Sequence, residues 1–350
     1  MAGNSIFSLF GLLPLLLTSS LLVHAKPLTT SDVLTRGLGD ESMQFDPRAA
    51  NYHVAAVDQN SKTVRVFPRN GKWNDDGIFW SFNAGSPSWT PKANWRNLSD
   101  VKFRKTGKHG WIALVTASEG NVGIINVTKE KRDNDLRQLM WTGYAGDNPH
   151  AIERIPYNGA IVAASSTPGK LTMWVPSDPD DINDYSKLRK SHTYDMDGAH
   201  GVLWDPRGSD TVADGRLWAL GRRWLVKYKV VGKGLDTKLV QDGSKIEIHG
   251  KSLGHDLQPD YTNKDVLLVT DSDGAYAYNT KTNKWTVLQS AKKYKSLVRH
   301  PNGEYIWIIG DKNELGQYVR FGSKPGKVDD QRGWEDAKFY KARVYSTPFE

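Results

Sequence analysis

The chain has 350 residues, 38% hydrophobic and 25% charged, enough to bury one large core or two modest ones. Its formal net charge is +8, with both signs interspersed rather than gathered into a basic arm, and it has no cysteine. These figures exclude a disulfide-stapled mini-protein and a thiol nucleophile, and they leave an acidic polysaccharide, an anionic surface or nucleic acid as charge-matched partners, or solubility alone, until a site decides.

Residues 1–25, MAGNSIFSLFGLLPLLLTSSLLVHA, contain no Lys, Arg, Asp or Glu. The apolar core and the Val23 and Ala25 positions before a cut read as a secretory signal peptide, leaving 26–350 as a single secreted domain. Pro14, the polar TSS and the missing basic flank argue against a membrane anchor. Sequons at Asn97 and Asn126 fit the same route.

From about residue 50 the chain is a succession of short apolar runs broken by turn residues, the pattern of an all-β protein. YHVAAVDQ, KTVRVFP and IFWSFNA come first, reading as second, third and fourth strands without a first. A complete module starts at Ser99: DVKFRK, WIALVTA, VGIINVT and RQLMWTGYA, with KEKRDNDLR as a solvated turn. The next, from His150, gives HAIERIP, GAIVAAS, KLTMWVP and SHTYDM. His200 opens HGVLWDP, RLWALG, WLVKYKVV and SKIEIHG; His255 opens DLQPDY, DVLLVTD, GAYAYNT and KWTVLQS. The last, from Lys295, gives SLVRHP, YIWIIGD, QYVRFGS and FYKARVYS, and that final segment is also placed to close a ring.

The anchors Ser99, His150, His200, His255 and Lys295 are 51, 50, 55 and 40 residues apart, the spacing of four-stranded propeller blades. Six modules are countable. In a propeller the loop entering each innermost strand and the loop between its second and third strands open on one face. The anchors therefore ring one mouth, and Arg222, Arg223 and Trp224 lie in a loop on the same face. Each histidine also has a purely structural reading, bonding a neighbouring backbone carbonyl. Trp174, Trp204, Trp218 and Trp307 sit inside strand patterns and read as core, whereas Trp224 reads as a stacking surface.

Histidines with arginine in a basic mouth suit β-elimination from a uronic acid. A cation neutralises the carboxylate, a base takes the C5 proton, and an acid protonates the departing O4. Glycoside hydrolysis wants two facing carboxylic acids. Asp256 and Asp273 are the candidates for that rival; a non-catalytic sugar-binding propeller is the other.

The modules NPHAIERIP…GAIVAASS, GAHGVLWDP…RLWALG, GHDLQPDY and FYKARVYS resemble a family of secreted propellers, polysaccharide lyase family forty-two, over nearly the whole chain from residue 50. The resemblance implies a seven-bladed propeller that cleaves a rhamnose–glucuronate linkage in gum arabic-type arabinogalactan, leaving an unsaturated glucuronate. The expected site is our own reading of the residues. His150 and His200 serve as base and acid, Arg222 as carboxylate clamp, and His255, Lys295, Arg223, Trp224 and Tyr144 as substrate contacts. No metal ligand set is expected, no cofactor is required, and calcium in the channel is compatible. The expected partner is an acidic polysaccharide, with no nucleic acid or membrane, and the protein itself is expected to be a monomer.

Overall fold

The computed structural model describes residues 51–345 apart from 89–91, 128–131, 208–210 and 312–313. The expected leader and its cut after Ala25 lie outside the described residues. Strands are numbered in chain order. The first sheet begins with β1 (His53–Asp58), β2 (Thr63–Pro68) and β3 (Trp80–Asn83). A second contains β4 (Leu98–Thr106), β5 (Gly110–Ala117), β6 (Asn121–Asn126) and β8 (Leu139–Tyr144), while β7 (Asp133–Asp135) crosses back to pair parallel with β3.

The third sheet is β9 (Pro149–Arg154), β10 (Ile161–Ser165), β11 (Lys170–Pro176) and β12 (Leu188–Asp195). The fourth is β13 (Gly201–Asp205), β14 (Arg216–Leu220), β15 (Trp224–Val231) and β16 (Lys238–Gln241), with β17 (Ile246–Glu247) also on β15. The fifth is β18 (Gly254–Pro259), β19 (Val266–Asp271), β20 (Gly274–Asn279) and β21 (Lys284–Ser290). The sixth is β22 (Tyr294–Arg299), β23 (Tyr305–Ile309), β24 (Val319–Gly322) and β25 (Asp330–Arg332). Finally β26 (Phe339–Val344) returns to pair with β1, becoming the innermost strand of the first sheet.

The result is a six-bladed propeller. Seven blades, the number the family resemblance implies, is incorrect for the described residues. The stretch 320–340 holds the third and fourth strands of the sixth blade and then feeds β26, so no sheet is left over. The C-terminal FYKARVYS closes the ring, as expected, and is not the fourth strand of the last module.

Two local readings also change. The fourth strand beside β15 is β16, not SKIEIHG, because the eight-residue β15 holds two short partners end to end: β16 along Tyr228–Val231 and β17 along Trp224–Leu225. KEKRDNDLR is not wholly a solvated turn, since Asn134 and Asp135 are buried where β7 lies against β3.

The radial gradient follows from the packing. Innermost β9 is buried at all six positions, whereas outermost β12 is mostly exposed. Each blade presses apolar faces against both neighbours. Val57, Val66 and Phe82 of the first blade meet Val101 and Val115 of the second, and Val162 and Met173 of the third meet Val202 and Leu217 of the fourth. Val298 and Ile306 of the sixth blade pack with Ala56, Phe67 and Ala342 of the first. Each such valine, leucine, isoleucine, methionine or phenylalanine contributes roughly 1.5–3 kcal/mol. Trp174, Trp204, Trp218 and Trp307 are buried in these layers, as expected. No helix among the described residues is long and apolar enough to cross a membrane.

Candidate functional site

The anchors owe their shared direction to the backbone. The pairing register shifts by one residue in five of the inner strands, at Ser99, His150, His255, Lys295 and Tyr340. A bulge of this kind adds a residue that faces its partner strand with no opposite number, re-aiming the side chain. Two residues upstream, Asn97 (φ 57°), Asn148 (φ 61°), Gly198 (φ 59°) and Lys293 (φ 64°) are left-handed. The chain thus turns in over the blade top before each of Ser99, His150, His200 and Lys295. Gly198 is needed twice over: a Cβ there would also lie 3.0 Å from the Arg222 Cβ. That close approach sets Arg222 beside the His200 loop.

His150, His200, His255 and Lys295 come together around the axis. The His150 and His200 rings stack at 4.3 Å between centroids, and His200 meets His255 edge-on at 5.3 Å. Tyr340, which the sequence reading missed, completes the ring, its centroid 5.3 Å from His150. Its signal was present: Tyr340 follows Lys295 by 45 residues, within the range of the other anchor spacings. Ser99 is structural, its buried hydroxyl 2.8 Å from Thr116 Oγ1 and donating to the Pro149 carbonyl.

His200 Nδ1 donates to the Gly198 carbonyl at 2.9 Å, which leaves the Nε2 lone pair available. This is the structural role foreseen for such a histidine, and it also fixes the tautomer. His255 Nε2 is 3.2 Å from Ser272 Oγ. His150 Nδ1 is buried with no hydrogen-bond partner among the described residues.

The channel below the rings is closed by charge. Arg343 holds Asp256 in a bidentate pair at 2.8 Å on both nitrogens and reaches Asp100 at 2.7 Å. Lys341 Nζ lies 3.5 Å from Asp256 and donates to the His150 carbonyl at 2.7 Å. All four side chains are buried. Burial opposes ionisation of Asp256, but Arg343 and Lys341 outweigh it and hold its carboxyl below the usual range.

Burial drives the imidazoles the other way. The His200 pKa falls to about 3, opposed by the Gly198 hydrogen bond and assisted by Lys341, Lys295 and Arg222. His150 and His255 are lowered well below 6.5 by burial, by their neighbouring histidines and by Lys341 and Lys295. Burial also lowers Lys295, partly offset by Glu314 at 3.1 Å, and raises the Tyr340 phenol, which stays protonated beside Asp256 and Asp100. Three uncharged imidazoles therefore sit among cations near neutral pH.

Unfolding returns His200 to its ordinary affinity, so between pH 6.5 and about 3 the unfolded chain binds the extra proton. Stability should then fall as pH falls, by roughly 1.4 kcal/mol per unit from His200, with His150 and His255 acting in the same direction. Denaturant titrations at pH 7 and pH 5 check this. His200→Gln should show the smaller loss on acidification, and an equal loss in both proteins would mean that His200 titrates normally.

The remaining expected contacts spread out over the same face. Arg222 pairs with Asp197 at 3.3 Å and stays more than half exposed. Arg223 pairs with Glu247 on β17, and Trp224 lies opposite Glu247 in the same ladder, so both belong to the blade edge rather than to the histidine ring. Tyr144, at the end of outermost β8, is half-exposed and donates to Asp147 at 2.6 Å. The carboxylates near the mouth are tied to cations: Asp197 to Arg222, Glu314 to Lys293 and Lys295. No group of three or more His, Asp or Glu side chains among the described residues is arranged to hold a metal ion.

Fold and site together define a six-bladed β-propeller with a cationic, histidine-lined mouth on one face. The model of the DUF6528 family, described as a family of unknown function, matches residues 45–341, and the chain belongs to that family. No curated protein matches the sequence. Among solved structures, a chain of a nidogen/laminin complex aligns with TM-score 0.52 and 12% identity, covering 84% of this chain and 97% of its own. A functionally unknown protein from Desulfotomaculum acetoxidans DSM 771 aligns with TM-score 0.50 and 11% identity, covering 81% and 80%. At such identities these structures speak to the fold alone.

Proposed function

We propose that the chain is a secreted lyase that breaks a glycosidic bond to a uronate in acidic plant polysaccharide by β-elimination. The favoured bond is a rhamnose–glucuronate linkage of the gum arabic type. The observation that carries the reading is the ring of three uncharged imidazoles in a cationic mouth, with the nearby carboxylates already paired. The resemblance of the His150, His200 and His255 modules to polysaccharide lyase family forty-two supports the same substrate class.

In this reading Arg222 and Lys295 receive the uronate carboxylate, which acidifies the C5–H bond. His200 Nε2 takes the C5 proton, the electron pair forms the C4–C5 double bond, and the C4–O bond breaks. The departing oxygen takes a proton from the Tyr340 hydroxyl or, through His150, from solvent. A base with a pKa of about 3 in the free protein is weak. The bound carboxylate is an opposite charge beside the imidazole and raises its basicity when it is needed. No step is routed through a metal. Hydrolysis has less support, because Asp256 is locked to Arg343 and Asp273 pairs with Lys292.

Incubation with gum arabic and other uronate polymers tests this reading. The expected result is ultraviolet absorbance of a conjugated uronate rising together with free rhamnose. Released sugar without absorbance would move the protein to the hydrolases. Binding without either signal would make it a sugar-binding propeller.

A further inference from the structure

A second feature lies on the same face, between the first and second blades. Lys62, Ala84, Lys92, Ala93, Trp95 and Arg96 line a cavity of about 270 Å³. The register fixes its side of the disc. Asp58 at the end of β1 pairs with Phe339 at the start of β26, and Thr63 at the start of β2 pairs with Asn83 at the end of β3. The turn carrying Lys62 and the loop carrying Lys92–Arg96 therefore open at the Tyr340 end of the blade, on the side of the histidine ring.

The lining divides in two. Buried Trp95, with Ala84 and Ala93, provides an apolar floor. Lys62, Lys92 and Arg96 stand around it, and no carboxylate among the described residues lines the space. Lys92 Nζ donates to the Gly85 carbonyl, which holds its ammonium at the cavity edge. Arg96 is 60% exposed; its Nε donates to the Ala93 carbonyl at 3.3 Å and one terminal nitrogen lies 3.5 Å from Glu119, which leaves the other terminal nitrogen without a protein partner among the described residues. A hexuronate unit has the complementary form: an apolar sugar face and one carboxylate.

We propose that this cavity is a second carboxylate subsite, holding a uronate unit of the same polysaccharide chain away from the bond being cleaved. The proposal rests on the acidic-polysaccharide reading of the mouth, not on the elimination chemistry. The cavity belongs to the second-to-fourth strand level of the first blade, so it lies roughly 10–15 Å from the innermost strand by strand spacing. A ligand reaching both places is an extended polymer rather than a single capped unit. Binding energy gathered there would hold the chain in register over the histidines.

The test is calorimetric binding of oligogalacturonates of increasing length, with neutral oligosaccharides of matched length as controls. It uses the full protein and the Lys62→Gln/Lys92→Gln/Arg96→Gln variant. The parent should bind long acidic oligomers at least about tenfold more tightly than short ones, the loss of one charge-assisted contact being worth a factor of that order. The variant should keep the short-oligomer affinity and lose the gain with length. An unchanged gain in the variant overturns the subsite. Equal binding of neutral oligomers, or no binding of any uronate by the parent, overturns it as well. Length-dependent binding lost in the variant, but with no unsaturated product from the parent on gum arabic, supports the subsite while refuting the lyase.

Discussion

The Arg343→Met variant should unfold about 3–5 kcal/mol more easily than the parent protein in urea titration, the usual cost of removing one partner from a buried ion cluster. Arg343 is buried at the centre of the channel, and its guanidinium is shared by Asp100 and Asp256, which have almost no access to water. Methionine fills much of the same volume but leaves two carboxylates against one remaining cation, Lys341. Lys341 also supports the His150 carbonyl, so disorder in the cluster would reach the mouth. Adding Asp100→Asn to Arg343→Met should recover most of the loss, because one carboxylate, Asp256, then faces the one remaining cation, Lys341. A loss below about 1 kcal/mol in the single variant would show that the cluster is wetter and softer than its burial implies.

His200→Gln should lower kcat on a uronate substrate by about 10²–10⁴-fold, the usual worth of a positioned general base, with a smaller change in KM. Glutamine approximates the volume and can still donate to the Gly198 carbonyl, so an unchanged melting profile would separate chemistry from folding. Arg222→Gln should act mainly on KM and on the C5 acidification. If His200→Gln retains full kcat while His150→Gln loses it, the base is His150, and His200 only positions it through the 4.3 Å stack.

The architecture was legible because the blades repeat. His150, His255 and Lys295 occupy one register position on their inner strands and His200 directly precedes the fourth blade's inner strand, and the spacing alone placed them around one axis. Tyr340 occupies the same position but was hidden by topology. Its strand is the last of those described and the first in its blade, so reading along the chain offered FYKARVYS both as the closing strand and as a strand of the last module, and did not align its tyrosine with the anchors. Blade count failed for a different reason: it was borrowed from a resemblance, while the chain itself showed six modules.

Radial position was the least readable property. Arg222, Arg223 and Trp224 are consecutive, yet only Arg222 is drawn toward the ring, by the Gly198 contact. The other two face the β17 edge, a strand too short to announce itself. Tyr144 shares the correct face but sits at the outer rim. The cationic cavity near Trp95 was invisible for a related reason, since its lysines and arginine come from separate loops and are joined only by the blade geometry.

The closing strand has a consequence for how the molecule is made. β26 supplies Tyr340 to the mouth and Lys341 and Arg343 to the channel, and it is the last of the described strands to leave the ribosome. Until residue 344 emerges, the first blade lacks its inner strand and Asp100 and Asp256 lack their two main counter-charges. The nascent chain therefore cannot complete the site. A prematurely terminated product ending before Phe339 would carry all three histidines and still be an open arc with an incomplete mouth.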